Sequence, residues 1–331
     1  MICFETEYLN IGRVLLLAVG MWPYKQSKLI SLQVILCYTL LLSIMIVQFT
    51  PFLTAECSPD LVIKILSMVL FCSTYTIIYN SFQINKHIIR SLMDHLQRIF
   101  NTIKDDYEIA ILRKYGYNAR CYEFACAGTF VVLAAGTFLI ACAKCNCGMF
   151  TIASYRVEHA MDIYIPQRID LKNEFMITNK IIQAVDIHRK SMKLIRDFIS
   201  TFERTLFCII IISVVCLSLN FYRIFQVVSF DGNVEEFIVH STVVSIIFIY
   251  IFIINYFAQE ILDHNNEIFI AVYNTRWYTA PLCIQKMILF LLQRGTRGFN
   301  LKIGGLFLAC LESSATLIST SMSYFTVLCS M

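Results

Sequence analysis

The sequence predicts an all-α, polytopic membrane protein, and two observations carry that prediction. Of its 331 residues, 58% are hydrophobic and only 15% charged, with a mean hydropathy of +0.66. A soluble domain holds roughly half apolar and about a quarter charged residues, so this chain departs from both norms toward lipid. The apolar residues also gather in long unbroken runs without two-residue alternation, which fits helices and not the strands of a barrel.

A helix crossing a ~30 Å hydrocarbon core needs about 20 mostly apolar residues. Six stretches qualify: 29–53, 61–83, 121–143, 205–229, 239–260 and 303–328. Basic residues collect on the cytoplasmic side of such spans. The head, 1–28, carries Arg13, Lys25 and Lys28, whereas connector 54–60 has no Lys or Arg, so the N-terminus is expected inside. Connector 84–120 has seven basic residues and is expected inside. Connector 230–238 has only Asp231, Glu235 and Glu236 and is expected outside; segment 261–302, with five basic residues, falls inside again. The short apolar run VLLLAVGM near the start follows Glu5 and Glu7 and is not expected to be a signal peptide.

One region resists this scheme. Residues 144–204 carry ten Lys and Arg and should lie inside, yet a single apolar run, 121–143, separates them from the inside connector 84–120. One crossing cannot join two segments on the same side. Either that run does not cross, or 144–204 is held outside against its charge, or a span is absent. The predicted layout is therefore a cytoplasmic head 1–28, spans and connector over 29–143, a cytoplasmic connector with helix extension over 144–204, two spans over 205–260, cytoplasmic helices over 261–302 and a last span over 303–331.

Within 144–204, Ile181, Val185, His188, Met192, Ile195, Ile199 and Phe202 recur at alternating spacings of four and three, a helical seam. The seam runs directly into the apolar stretch at 205, which predicts one helix continuing beyond the membrane. His188 within it is expected to be a packed, hydrogen-bonded side chain. PLCIQKMILFLLQR, 281–294, predicts a helix too short to span, opened by Pro281.

Several chemistries find no support. The net charge is +4, with basic residues spread among apolar segments, so nucleic acid is not an expected partner. Of the 14 cysteines, most lie in apolar runs, where Cys behaves as a small hydrophobe. Cys142, Cys145 and Cys147 have metal-like spacing, but no second pair or nearby histidine completes a four-ligand set, so no metal is expected. No catalytic motif or cofactor fingerprint is present, so no enzymatic role is expected.

The last segment poses its own question, because LESSATLISTSMSY, 311–324, puts a carboxylate, seven serines or threonines and a tyrosine into an apolar run. At about 100° per residue, Glu312, Thr316, Ser319, Thr320 and Ser323 share one arc. Leu311, Ala315, Leu317, Ile318, Met322 and Phe325 line the other side, while Ser313, Ser314 and Ser321 blur the boundary. A charge at bilayer depth costs about 3 kcal/mol or more and normally faces a bundle interior or a wet cavity. Two readings stand: a hydrated path for cations, with Glu312 near its inner end, or helix packing through hydroxyls bonded to the preceding turn.

Three sets of stretches, taken together, carry a resemblance: IGRVLLLAVGMWPYKQSK at the head, GMFTIASYRVEHA and AVDIHRKSMKL in the interior, and YNTRWYTAPLCIQKMILFLLQRG followed by GGLFLACLESSATLISTSMSYFTVL at the tail. The chain resembles the insect odorant receptors of the variable, odorant-tuned kind. The resemblance implies a seven-helix subunit with a cytoplasmic N-terminus, multi-pass in the plasma membrane of sensory-neuron dendrites. It implies assembly with an obligate co-receptor into a heterotetrameric, nonselective cation channel opened by small volatile odorants. It also implies extended cytoplasmic helices around the central axis, which the seam at 181–202 suits. By the SYFTVL match, Val327 takes the gate position and Met331 stands one turn beyond. Odorants of this family bind among spans two to six in their outer halves, where Met68, Phe71, Tyr75, Phe138, Phe221, Phe225 and Phe248 are candidates here.

The chain departs from that family between the connectors 84–120 and 144–204. Two spans and an extracellular loop belong there, and about one span is found, so about six spans of the seven-helix bundle are retained. A truncated, non-conducting subunit or pseudogene product is therefore the alternative to a working receptor. A G-protein-coupled receptor is a further one, disfavoured because it requires an N-terminus outside.

Overall fold

The computed structural model describes residues 10–24, 27–50, 52, 58–125, 130–160, 171–231, 233–296 and 298–330. Among these, ten α-helices carry the fold: α1 (Asn10–Ala18), α2 (Lys28–Phe49), α3 (Pro59–Ile84), α4 (Lys86–Thr102), α5 (Asp106–Ala125), α6 (Phe130–Glu158), α7 (Leu171–Gln226), α8 (Val234–Asn274), α9 (Leu282–Gly295) and α10 (Leu311–Ser330). One antiparallel pair, β1 (Lys302–Ile303) and β2 (Phe307–Leu308), joins α9 to α10. The protein is all-α and polytopic. Five helices contain stretches long and apolar enough to cross a membrane, namely α2, α3, α6, α7 and α8.

Local chemistry sets the helix starts. Ser27 and Ser58 accept hydrogen bonds from the backbone amides of Ile30 and Leu61, capping α2 and α3. Pro59 opens α3, where its missing amide proton costs nothing. Asn233 accepts from the amides of Glu235 and Glu236 at the start of α8.

The seam at 181–202 lies in α7, one uninterrupted helix of 56 residues, about 84 Å at 1.5 Å per residue. Ile181, His188, Ile195 and Phe202 are buried, and Val185, Met192 and Ile199 half-buried. The lower part of α7 therefore turns its seam into protein, while its upper part packs on α3, α8 and α10.

Two apolar runs take a form other than the expected one. The run 121–143 is not one helix: α5 ends at Ala125 and α6 begins at Phe130. The two helices lie antiparallel. Tyr107 stacks on Tyr155 (4.5 Å), Glu108 pairs with Arg156, and Tyr115 bonds Thr151 (3.1 Å), so positions advance along α5 as they recede along α6. Residues 126–129 between the two helices lie outside the described residues. α6 packs against α5, α7 and α8 because its charged and amide groups need protein partners, which those helices supply. The last run is also not helical from residue 303. Gly304 and Gly305 take left-handed φ values of 60° and 70° in the turn between β1 and β2, and the helix starts only at Leu311. A side chain at Gly304 would collide with the Phe207 ring.

The core has two levels. Toward the basic connectors, α6 is enclosed by α1, α3, α5, α7 and α8. At the opposite end, Val214, Leu217, Val243, Val244, Ile247, Ile251 and Leu317 join α7, α8 and α10.

Candidate functional site

Helix α10 meets its own subunit through a narrow face. Ser314, Leu317 and Ser321 are buried, and Ile318, Phe325 and Leu328 half-buried. The small Ser314 and Ser321 let α10 approach α7 closely. Ser321 satisfies its hydroxyl on the carbonyl of Leu317 (2.8 Å), and Ser218 of α7 donates to the carbonyl of Ser321 (3.0 Å). Two of the three serines that blur the polar arc in sequence thus belong to the packing face. Leu311, Ala315 and Met322, expected on that face, are exposed instead. Serine wins the contact because closeness, rather than apolarity, is what α7 selects.

The arc of Glu312, Thr316, Ser319, Thr320 and Ser323 lies on the far side of α10. Four of the five are exposed and Thr320 is half-buried. Three of the four hydroxyls spend their donors within the helix: Thr316 on the carbonyl of Glu312 (3.2 Å), Thr320 on that of Thr316 (2.8 Å), and Ser323 on that of Ser319 (3.0 Å). What faces outward is therefore mostly oxygen lone pairs, with the Glu312 carboxylate in the first turn, where the helix dipole favours it. Such a flank suits cations. Val327 continues it and is half exposed, at 50%. Met331 lies outside the described residues.

A second feature is an apolar cavity of about 240 Å³ between α3, α6, α7 and α8. Phe71 and Tyr75 line it, their rings edge-on at 5.2 Å, together with Phe198, Phe202, Tyr250 and Phe257. Its few polar groups include Ser81 and Thr205, bonded to each other at 2.8 Å. The other ligand candidates sit elsewhere. Phe138 is buried among Phe82 and Phe198 behind the cavity wall. Met68, Phe221 and Phe248 join the far-end core, with the last two rings 6.0 Å apart. Phe225 is largely exposed and meets Phe325 of α10 at 6.1 Å, as does Phe221. Sequence reasoning passed over Phe198 as a wall residue because it looked to the outer halves of the spans. Its neighbour Phe202 stood in the seam, and the seam was the signal.

An ion cluster at the far end also went unforeseen. Glu236 pairs with Lys64 of α3 and Arg223 of α7 (2.7 Å to Arg223), and Gln226 bonds Asp60 (2.5 Å). Burial works to raise the Glu236 carboxyl, but its hydrogen bonds from Lys64 and Arg223 outweigh that and hold it below the usual carboxylate range. Three helices are thereby pinned at one end.

A family model described as 7tm Odorant receptor matches residues 61–322. Among solved structures, the insect olfactory receptor OR5 from Machilis hrabei in complex with eugenol is similar at a TM-score of 0.69 and 15% identity, over 99% of this chain and 98% of that one. A second structure of the insect olfactory receptor OR5 from Machilis hrabei is similar at a TM-score of 0.64 and 15% identity, over 98% of this chain and 97% of that one. At that identity the likeness speaks for the fold.

Proposed function

Because the chain belongs to the 7tm odorant receptor family, we propose that it is the odorant-tuned subunit of a ligand-gated, nonselective cation channel, completed by an obligate co-receptor. In this reading it sits in the plasma membrane of sensory-neuron dendrites. One observation carries the proposal: the acceptor-lined flank of α10 faces away from the subunit's own bundle, opposite its packing face. A row of hydroxyl oxygens and a carboxylate is costly against lipid tails and favourable along a wet axis shared with other subunits. Glu312, Thr316, Ser319, Thr320 and Ser323 would line that axis, with Val327 and Met331 at its gate.

The α5–α6 hairpin supports the inside assignment of both 84–120 and 144–204, since a chain that turns back leaves both connectors on one side. The cavity is of the kind that takes a small apolar molecule, with few polar anchors. Ligand binding would shift the gate by its differential affinity for the open arrangement, and Phe221 and Phe225 against Phe325 offer a mechanical route from α7 to α10.

Co-expression with the co-receptor and current recording under an odorant panel that includes eugenol tests this. Odorant-evoked cation current is expected, and Glu312→Gln should change permeability or block by divalent cations severalfold while surface assembly is kept. The same hairpin favours the rival reading, a truncated subunit that reaches the surface with its partner but passes no current. Normal surface expression with silence across the panel would decide for that rival.

A further inference from the structure

On the side of the molecule that holds the basic connectors, three potential metal ligands from two helices converge. Cys147 of α6, and Glu260 and His264 one turn apart on α8, place Sγ, a carboxylate oxygen and a ring nitrogen within 4.8 Å of one another. Cys147 stands more than 110 positions before the other two in sequence, so the cysteine spacing could not reveal the group. Cys142 and Cys145 are not part of the group: they turn into the core cluster that Met149 and Ile152 share, while Cys147 turns into another with Phe150 and Phe257. We infer that Cys147, Glu260 and His264 form a site for a thiophilic divalent cation of the Zn(II) class, clamping α6 to α8.

Three features argue for a metal rather than ordinary packing. The first is an unsatisfied oxygen. Glu260 Oε1 pairs with Lys144 Nζ at 2.5 Å, yet Oε2 is buried and has no hydrogen-bond partner among the described residues. A buried acceptor left open is destabilising unless something fills it. The second is the orientation of the histidine. His264 Nδ1 donates to Glu267 at 2.6 Å, which leaves Nε2 as the lone-pair nitrogen. A carboxylate behind the other ring nitrogen is the usual support of a metal-bound histidine.

The third is the proton count around Tyr115. Its hydroxyl lies 3.1 Å from both His264 Nε2 and Thr151 Oγ1, and it has one proton for two acceptors. Thr151 spends its own proton on the carbonyl of Cys147 at 3.0 Å, so it can only accept from Tyr115. Tyr115 can therefore turn its proton to Thr151 and release Nε2 to a metal at no loss in hydrogen bonds. On binding, the Cys147 thiol would lose its proton to solvent and become the thiolate ligand. The charges then cancel: thiolate, Glu260 and Glu267 against Lys144 and a divalent ion. Three protein ligands leave a fourth position for water. The clamp would sit beside the cavity, since Asn146, Ala258 and Ile261 flank its ligands and line the cavity wall, and it would form whether or not the chain conducts.

The test uses Co(II) as a spectroscopic probe on the full chain purified in detergent. One Co(II) per chain, a thiolate-to-cobalt charge-transfer band and its displacement by Zn(II) are expected. Cys147→Ser should abolish the band, Cys145→Ser should keep it, and Glu267→Gln should keep it while weakening affinity by about 10–100-fold. Because Glu267 is about half exposed, that variant keeps the test open if Cys147→Ser does not fold. No band in folded protein, a band that survives Cys147→Ser, or an affinity indifferent to Glu267→Gln would each overturn the site.

Discussion

Helices α2 and α6 are both apolar enough to cross a bilayer, and their surroundings are opposite. Only 6% of the most apolar stretch of α2 is buried, against 83% of that of α6. α2 packs chiefly on α3, through Tyr38, which donates to Asn80 (2.6 Å) and meets Tyr79 edge-on at 5.0 Å. Leu29, Leu32, Ile35 and Leu36 remain exposed along it. α6 instead carries Lys144, Asn146 and Arg156, and each finds a partner: Glu260, Ser191 and Glu108. Hydropathy measures how much a segment prefers to leave water. It does not say whether lipid or protein receives it. The deciding feature is the polar minority, because a lysine or an amide away from water must be paired, and only protein brings a partner to a fixed place.

That contrast can be broken most directly by cutting side chains from each helix. Phe150→Ala on α6, at a fully buried position, should lower stability by about 3–5 kcal/mol. Leu36→Ala on α2, where the side chain is exposed, should stay within about 0.5 kcal/mol. Thermal unfolding of the two variants in the same detergent measures both, and a reversed ranking would put α6 outside the core. A smaller effect tests the hairpin. Arg156 holds Glu108 with two bonds, Nε–Oε1 at 2.6 Å and a second nitrogen to Oε2 at 2.8 Å. Glu108→Ala should cost about 2–3 kcal/mol, by leaving a largely buried guanidinium without its carboxylate. Replacing both partners with apolar residues, as in Glu108→Leu with Arg156→Met, should recover most of that loss.

Much of the fold was legible in the sequence, for reasons these helices make plain. The lipid-like run 29–53 as far as Phe49, and the runs 61–83 and 239–260, coincide with helices because little in them competes with backbone pairing. The seam at 181–202 was readable because its period is that of a helix. The run 121–143 reads as one apolar stretch because its length matches a span, while the groups that give α6 its protein partners, Lys144 and Arg156, lie after it. On α10 the polar arc could be drawn from spacing alone, but the packing face could not. Ser314 and Ser321 look polar in sequence and act as small contacts against α7, which only the partner helix reveals. The grouping of Cys147 with Glu260 and His264 was invisible for the same reason: it exists only where α6 meets α8.

The smallest effect expected sharpens the comparison through pH. α2 holds no histidine. Beside α6, by contrast, His188 packs on Phe150 (ring centroids 5.3 Å apart), faces Phe269, and donates from Nε2 to Asn265 at 3.0 Å. Burial lowers its pKa from the usual value near 6.5; the bond to Asn265 works the other way, and Arg294 adds to the lowering. The unfolded chain therefore takes up this proton at a higher pH than the folded one. The neutral ring's contribution is complete above about 6.5 and is lost as pH falls through the lower folded value. Stability followed from about pH 8 to about pH 5 should decline, and His188→Gln should flatten the decline. It should not remove it, because burial also depresses His95. Identical slopes in the two proteins would mean that the ring beside α6 is as well hydrated as any surface histidine, and the dry interior assigned to that helix would be wrong at this point.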